Sequence, residues 1–242
     1  MGREYGAGST LAGGAARVAA PCDGPTLQPA VMIDDKPFSP ACERNREPIA
    51  QALSVHFAES RRVLEIGSGT GQHAVHLAAA MPWLSWQSSE RPGHLSGIRA
   101  WLAEAGLPNT PPPLPLDVST GPWLHRRFDA MFSANTLHIL SWAQVEALFA
   151  GLNRSITDLA TVAIYGPFNY RGRFTSDSNR QFHATLKARD PGMGLRDFEE
   201  VHRLARGIGL ELVHDLDMPA NNRLLVWRRG VGRVQAGSRV AS

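Results

Sequence analysis

Apolar residues occur along this chain in two patterns, short continuous runs and longer stretches in which they recur three or four positions apart. The short runs predict strands, and the longer stretches predict amphipathic helices. The predicted strands are 62–67, 84–90, 114–118, a strand within 128–140, 159–166, 210–218 and 222–229. The predicted helices are 43–60, 71–81, 94–106, 141–156, 178–190 and 196–209. This alternation indicates a doubly wound α/β fold, a mostly parallel sheet with helices on both faces.

Prolines and turn residues refine this prediction. The turn between the last two strands, PANN at 219–222, has only four residues, the last of which also begins the second strand; it is too short for a parallel crossover and therefore predicts an antiparallel hairpin. Pro115 lies inside the third strand, and proline is tolerated almost only at a sheet edge. The third strand is an edge in the doubly wound order 3-2-1-4-5. Ser141 is expected to cap the fourth helix and Gly106 to end the third.

Length and composition fit one domain. A chain of 242 residues accommodates one sizeable α/β domain, expected at 31–229, with a flexible Gly/Ala-rich arm at 1–30 and a flexible tail at 230–242. The formal charge is only +3, and no basic stripe predicts nucleic-acid binding. Cys22 and Cys42 have no metal-ligand spacing. No targeting signal or membrane-length apolar run is visible, so we expect a cytoplasmic protein without a membrane partner.

The stretch VLEIGSGTGQH, residues 63–73, carries the most specific chemistry in the chain. Its glycines are Gly67, Gly69 and Gly71. Gln72 stands where a dinucleotide fingerprint has its third glycine, and no lysine follows as in a P-loop. Glu65 would repel a phosphate and attract a cation. S-adenosylmethionine fits, because it is cationic and its carboxylate can bind N–H groups at a helix N-terminus. The alternative is a surface Glu65 beside glycines that only form a tight turn.

Acidic residues also end the next two strands. Glu90 can accept both hydroxyls of a ribose, and Asp117 can accept an adenine amino group. The alternative role for Asp117 is to cap a helix. Because Glu90 has the same spacing in proteins that bind NAD, its position alone does not separate the two cofactors.

These residues resemble motifs I to III of the class I S-adenosylmethionine-dependent methyltransferases. The blocks at 39–49, 135–142, 165–179, 189–199 and 217–227 resemble, more narrowly, a methyltransferase-like family with human and bacterial members and no established substrate. The resemblance covers 38–229 and implies a Rossmann-like seven-stranded sheet of order 3-2-1-4-5-7-6 with strand 7 antiparallel. It also implies S-adenosylmethionine as cofactor. The expected cofactor contacts are Glu65, Gly67, Ser68, Gly69, Gly71, Gln72, His73, Glu90, Asp117, Val118 and Asn135.

Three further loops, after strands four, five and six, are expected at the carboxyl ends of the strands, on the same side of the sheet as the glycine loop. Methyl transfer requires alignment of the acceptor and, for some acceptors, removal of a proton. His138 is the candidate base and Tyr165 a candidate hydrogen-bond donor, although His138 could equally pack against a helix. Candidate contacts for a small-molecule acceptor are Arg44, Asn45, Asn169, Arg173, Asn221 and Asn222.

Each acceptor contact has a structural alternative. Arg44 and Asn45 could start the first helix, Arg173 could be solvated, and Asn221–Asn222 could form the hairpin turn. No carboxylate cluster indicates a catalytic metal.

The function expected is that of a methyltransferase acting on a small molecule. The alternative is a non-catalytic S-adenosylmethionine-binding or interaction protein that kept the pocket. A third reading, an NAD(P)-dependent oxidoreductase, disagrees with both Gln72 and Glu65.

Overall fold

A computed structural model describes residues 31–33, 36–124 and 128–230, so the predicted arm at 1–30 and residues 231–242 of the predicted tail lie outside it. Its strands are β1 (Val31–Ile33), β2 (Lys36–Phe38), β3 (Arg62–Ile66), β4 (Ser85–Glu90), β5 (Leu114–Pro115), β6 (Phe128–Ala134), β7 (Ile156–Gly166), β8 (Phe168–Asn169), β9 (Arg196–Asp197), β10 (Leu210–Met218) and β11 (Asn222–Arg229). Its helices are α1 (Pro40–His56), α2 (Gln72–Ala80), α3 (Ser96–Ala105), α4 (Trp142–Ser155), α5 (Asp177–Arg189) and α6 (Phe198–Gly207).

Seven of these strands form one sheet in the order β5-β4-β3-β6-β7-β11-β10. Counted along the chain this is 3-2-1-4-5-7-6, and β11 runs antiparallel to both neighbours, as predicted. Pro115 lies in the edge strand β5, as its missing N–H requires. That strand is shorter than the predicted 114–118, because the chain turns at Asp117, whose carbonyl accepts from Gly121 N at 2.8 Å.

Two small β pairs were not predicted. β1 and β2 form an antiparallel hairpin, and β8 pairs in parallel with β9. Strands of two or three residues are too short for an alternating pattern to reveal them. α1 begins three residues before its predicted start, because Ser39 is its N-cap and Pro40 its first residue.

The sheet has an apolar core on each face. Along β3, Leu64 and Ile66 pack with α4 and α6, whereas Val63 packs with α1, α2 and α3. This period of two is the strand repeat, and it places Glu65 on the same face as Val63. In the described ranges, no helix combines the length and apolarity needed to cross a bilayer.

Helix ends follow the predicted chemistry in two places. Ser141 caps α4 through a capping box, in which its hydroxyl accepts from Gln144 N at 3.4 Å and the Gln144 side chain accepts from Ser141 N at 2.8 Å. Gly106 ends α3 in the left-handed conformation, with φ of 57°. The capping box orients the loop that connects β6 to α4.

We expect Ser141→Ala to lower the free energy of unfolding by about 1 kcal/mol, because the N-terminus of α4 loses one partner for its backbone N–H groups. Urea denaturation followed by circular dichroism measures this loss. Ser96→Ala is the control, since Ser96 is exposed at the start of α3, whose N-cap residue makes no side-chain cap bond. Equal stability of the two variants would contradict a stabilising role for the box.

Candidate active site

The three glycines of the loop after β3 have different surroundings. A Cβ on Gly67 would lie 2.5 Å from Thr136 Oγ1, and one on Gly71 would lie 2.9 Å from Ile98 Cα in α3. A Cβ on Gly69 would meet nothing within 4 Å. All three have positive φ. Two of the glycines therefore permit close packing within the protein, and only Gly69 borders open space.

Backbone hydrogen bonds join this loop to the end of β4. Ser89 O accepts from Gly67 N at 3.1 Å and from Ser68 N at 3.0 Å, and Ser68 Oγ accepts from Ser89 N at 3.1 Å. Glu90 Oε2 then accepts from Gly69 N at 3.1 Å. The carboxylate of Glu90 is consequently held beside the one glycine that borders open space.

Glu65 is buried beneath the loop and is only 1% exposed, so the surface alternative for this residue is wrong. Its Oε2 accepts from Trp86 Nε1 at 2.9 Å. Burial raises the pKa of Glu65 to about 7, and the charge of Glu90 acts in the same direction, although hydrogen bonds from Trp86 and Ser68 oppose the shift. Two carboxyl groups thus lie near Gly69, where a cation would stabilise their ionised forms.

Gln72 opens α2, but its side chain bonds to neighbouring protein groups. Oε1 accepts from Ser39 N at 2.5 Å and from Thr70 Oγ1 at 3.1 Å, while Nε2 donates to Glu43 at 3.0 Å. Gly71, the N-cap of α2, has no side chain to cap the helix, although Gln72 N donates to Thr70 Oγ1 at 3.4 Å, and the first turn has no acidic residue. The backbone N–H groups at this helix start remain suited to an anionic group.

His73 has two partners from α1. Its Nε2 lies 2.7 Å from Asn45 Oδ1, and its Nδ1 lies 3.6 Å from Cys42 Sγ. Burial lowers the pKa of His73 to about 4, so the ring is neutral near physiological pH. The side chains of Gln72, His73 and Asn45 therefore attach the start of α1 to the glycine loop.

Asp117 follows the edge strand and supports a turn, whereas its alternative role, capping a helix, is wrong because no helix begins there. Its Oδ1 accepts from Ser119 N at 2.8 Å and from Thr120 N at 3.3 Å. Its other oxygen, Oδ2, takes no part in these bonds and retains acceptor capacity. Val118, the neighbouring expected contact, is 7% exposed.

The ends of β6 and β7 meet at Gly166. A Cβ on Gly166 would lie 3.8 Å from both Asn135 Oδ1 and His138 Nδ1, and Asn135 N donates to Tyr165 O at 2.9 Å. Burial lowers the pKa of His138 to about 3, well below the near-neutral value that made it a candidate base. Its ring packs edge-on against Phe182, with the ring centres 5.2 Å apart.

Tyr165 is 2% exposed and keeps its proton. Burial raises its pKa to about 12, against the opposing effects of a hydrogen bond with Asn45 and the charge of exposed Arg44. A phenol with this pKa can donate a hydrogen bond throughout the physiological range. Gly166, which follows Tyr165 in the chain, thus lies beside His138, and neither candidate has a pKa near neutrality.

The expected acceptor contacts divide into buried and exposed groups. Asn169 and Asn222 are 7% and 6% exposed, whereas Arg173 and Asn221 are exposed. Asn221 has φ of 55° and lies in the hairpin turn, so its structural alternative holds. The Asn222 side chain also supports that turn, since Nδ2 donates to Pro219 O at 2.9 Å.

Arg196 is a residue whose role the sequence did not reveal. Its Nε donates to Leu137 O at 3.2 Å, and its terminal nitrogen donates to Gly192 O at 2.8 Å and also to Leu140 O. It therefore fixes the loop that follows Asn135. The only sequence feature that pointed to Arg196 was its position in the block 189–199 of the family resemblance, and that resemblance implied no role for it. Across the described ranges, no group of three or more His, Cys, Asp or Glu side chains can hold a metal ion.

Solved structures of methyltransferases share this fold. An O-methyltransferase family protein from Burkholderia thailandensis has a TM-score of 0.70 and 16% identity, over 79% of this chain and 58% of its own. The S-adenosylmethionine-dependent methyltransferase SibL, in its apo form, has a TM-score of 0.63 and 20% identity, and the match covers 78% of this chain and 56% of SibL. The structure of PigF with SAH has a TM-score of 0.64 and 17% identity, and the match covers 75% of this chain and 54% of PigF. This chain thus spans little more than half the length of these neighbours, and the likeness shows the fold.

One family model covers most of the chain. It is described as a protein of unknown function, DUF938, and it matches residues 36–229. The matched range runs from β2 to the end of β11 and includes the whole seven-stranded sheet. The chain therefore belongs to the family of proteins of unknown function DUF938.

Proposed function

We propose that this protein is a class I S-adenosylmethionine-dependent methyltransferase that acts on a small-molecule acceptor. One observation carries the proposal: Gly69 borders open space at the carboxyl end of the sheet, the Glu90 carboxylate accepts from Gly69 N, and Glu65 interacts with Glu90 and with Ser68, the residue before Gly69. A phosphate would be repelled there, whereas a cation would be attracted. The folds of the solved methyltransferases support the same reading.

The residues fit this cofactor group by group. Glu65 would face the ammonium group of the cofactor and not its sulfur, and the backbone N–H groups at the start of α2 would bind its carboxylate. Glu90 would bind the ribose, because each carboxylate oxygen keeps acceptor capacity beyond its bond to Gly69 or Arg91. Oδ2 of Asp117 would accept from the adenine amino group. The same site would also be lined by neighbouring residues, namely Gly67, Ser68, Gly71, Val118 and Asn135.

When bound, S-adenosylmethionine supplies both the electrophilic methyl group and its leaving group. The chain's own task is then to align the acceptor and exclude water. Tyr165 would donate a hydrogen bond, while neutral His138 would position the acceptor rather than remove a proton. An acceptor with an available lone pair fits such a site, because its attack does not depend on a protein base.

A non-catalytic S-adenosylmethionine-binding protein is the second candidate, and the lack of a near-neutral pKa at His138 and Tyr165 favours it. Product formation from labelled S-adenosylmethionine and a metabolite extract discriminates between the two. We place the protein in the cytoplasm, with a small-molecule partner rather than nucleic acid or a membrane. The modest net charge of +3 supports this choice of partner.

The open space at Gly69 makes a matched pair of variants informative. We expect Gly69→Leu to abolish S-adenosylmethionine binding, because the side chain would fill the space in front of the loop. Gly106→Leu is the control, since Gly106 is also exposed, has φ of 57° against 54° at Gly69, and likewise has nothing within 4 Å. Both variants should lose about 1–2 kcal/mol of stability from the left-handed backbone. Calorimetry then measures binding.

Two results would overturn the binding site. If Gly69→Leu bound S-adenosylmethionine with wild-type affinity, the glycine loop would not be part of the binding site. If the wild-type protein bound NADH but not S-adenosylmethionine, an oxidoreductase would be favoured.

Glu65 provides a test through pH. Its pKa is raised from an ordinary 4.5 to about 7, so the folded chain binds a proton more tightly than the unfolded chain. The free energy of unfolding should therefore fall by about 3 kcal/mol as pH rises through this interval. Glu65→Gln should flatten that fall and make the chain more stable than wild type at about pH 8.

The same substitution should weaken cofactor binding. A neutral amide cannot attract a cation, so we expect roughly tenfold lower affinity for S-adenosylmethionine at about pH 8. Wild-type affinity should decline as pH falls below 7, whereas the variant's should change little. Glu59→Gln is the control, because Glu59 is exposed and pairs with Arg228 at 3.0 Å. A pH-independent wild-type affinity would refute the contact between Glu65 and the cofactor.

A further inference from the structure

Three buried asparagines have amide oxygens for which the described residues supply no hydrogen-bond donor. Asn169 is 7% exposed, Asn179 is 0% and Asn222 is 6%, and Oδ1 of each lacks a partner. A buried acceptor that gives up water without gaining a donor costs free energy. Three such atoms in one region require a common explanation.

The orientation of two of these amides is determined by their nitrogens. Asn222 Nδ2 donates to Pro219 O at 2.9 Å and to Ala220 O at 3.3 Å. Asn179 Nδ2 donates to Asn221 O at 3.1 Å. Because carbonyl oxygens only accept, exchanging oxygen and nitrogen in either amide would place two acceptors against each other. The unpartnered atoms of Asn179 and Asn222 are therefore oxygens.

All three asparagines lie near the carboxyl end of β7. Asn222 adjoins Arg223, which is paired with Gly166 at the last position of β7. Asn169 follows Gly166 by three residues, and Asn179 bonds to the backbone of Asn221. β7 runs parallel to β6, which runs parallel to β3, so this cluster lies at the same sheet edge as the glycine loop.

Charges around the cluster do not prepare it for an anion. Arg223 Nε is paired with Asp215 at 2.7 Å, and Arg180 with Asp177 at 3.4 Å. Arg173 is exposed to solvent. The buried groups that remain unpaired are neutral amides, and those of Asn179 and Asn222 present oxygens that the donors of a ligand would satisfy.

We propose that the amide oxygens of Asn169, Asn179 and Asn222 bind N–H or O–H groups of the methyl acceptor, which is accordingly a neutral or cationic hydrogen-bond donor and not an anion. This assignment rests on the proposed function for the identity of the ligand as the acceptor. The site itself is defined by the asparagines.

Small aromatic probes test the chemistry. Benzyl alcohol, benzamide and benzylamine carry donors, whereas benzyl methyl ether, N,N-dimethylbenzamide and benzoate do not. Ligand-observed NMR with the full chain, with and without S-adenosylhomocysteine, measures their binding. We expect at least one donor probe to bind about tenfold more tightly than its capped or anionic counterpart. The donor probe that binds best distinguishes a hydroxyl, amide or amine acceptor. Preference for benzoate, or binding by none of the donor probes, overturns the proposal.

Asn169→Leu separates a binding role from a structural one. Within the described residues the Asn169 amide makes no hydrogen bond, so leucine should raise the melting temperature of the free chain and weaken the donor probe about tenfold. Asn109→Leu is the matched control, because Asn109 Nδ2 donates to Ala78 O and Leu84 O, both at 2.9 Å. That control should lower the melting temperature and leave probe binding unchanged.

These experiments distinguish a failure of the donor site from a failure of the proposed methyltransferase function. A lower melting temperature with unchanged probe binding in Asn169→Leu would make the residue structural and overturn the donor site. Absence of S-adenosylhomocysteine binding alongside donor-selective, Asn169-dependent probe binding would refute the methyltransferase proposal and retain the donor site.

Discussion

The close approach of backbone at Gly67 and Gly71 is the constraint on which the site depends. Thr136 contacts the first of these residues and the backbone of α3 contacts the second, so any side chain would push one neighbour away. Because Gly67 and Gly71 have no side chains, β3, the loop after β6 and α3 can converge at one point. Gly69 lies between them and borders open space as a consequence. The loop's shape is thus imposed by packing at Gly67 and Gly71, while at Gly69 the left-handed backbone favours glycine and the open space leaves room for a ligand.

A buried polar network extends this constraint to the first helix. His73 contacts both Asn45 and Cys42, and Gln72 contacts Ser39 and Glu43. Satisfied networks of this kind specify one arrangement, because each lost bond would leave a buried polar group without a partner. The start of α1 is consequently part of the loop's support, although it precedes the first strand of the main sheet. Gln72, His73 and Asn45 were expected to touch ligands, and their spacing did not reveal that their side chains bond to protein groups instead.

Prediction from sequence succeeded where local chemistry and topology have few solutions. Pro115 can lie only at an edge, and the short connection at 219–222 permits only a hairpin, so the edge position of the third strand and the antiparallel final pair followed, while the full order 3-2-1-4-5-7-6 came from the family resemblance. It failed where contacts join distant segments without a periodic pattern. Pairing of β8 with β9 involves two residues on each side, and the bonds of Arg196 to the loop at 137–140 give no sequence signal. His138 was recognised as a candidate, but its low pKa comes from burial that no spacing predicts.

The two parts of the proposed site differ in charge, and that difference suits methyl transfer. Glu65 and Glu90 lie at the cofactor side, where a carboxylate stabilises a bound cation. The acceptor side presents neutral amides, Asn169 and Asn222 among them. A carboxylate beside the reacting sulfur would stabilise the concentrated charge of the ground state more than the dispersed charge of the transition state, and would slow the reaction. Neutral oxygens can orient an acceptor through its donors without this penalty. In the proposed site, acids that would hold the cofactor and amides that would hold the acceptor therefore form a consistent division of roles at the carboxyl end of the sheet.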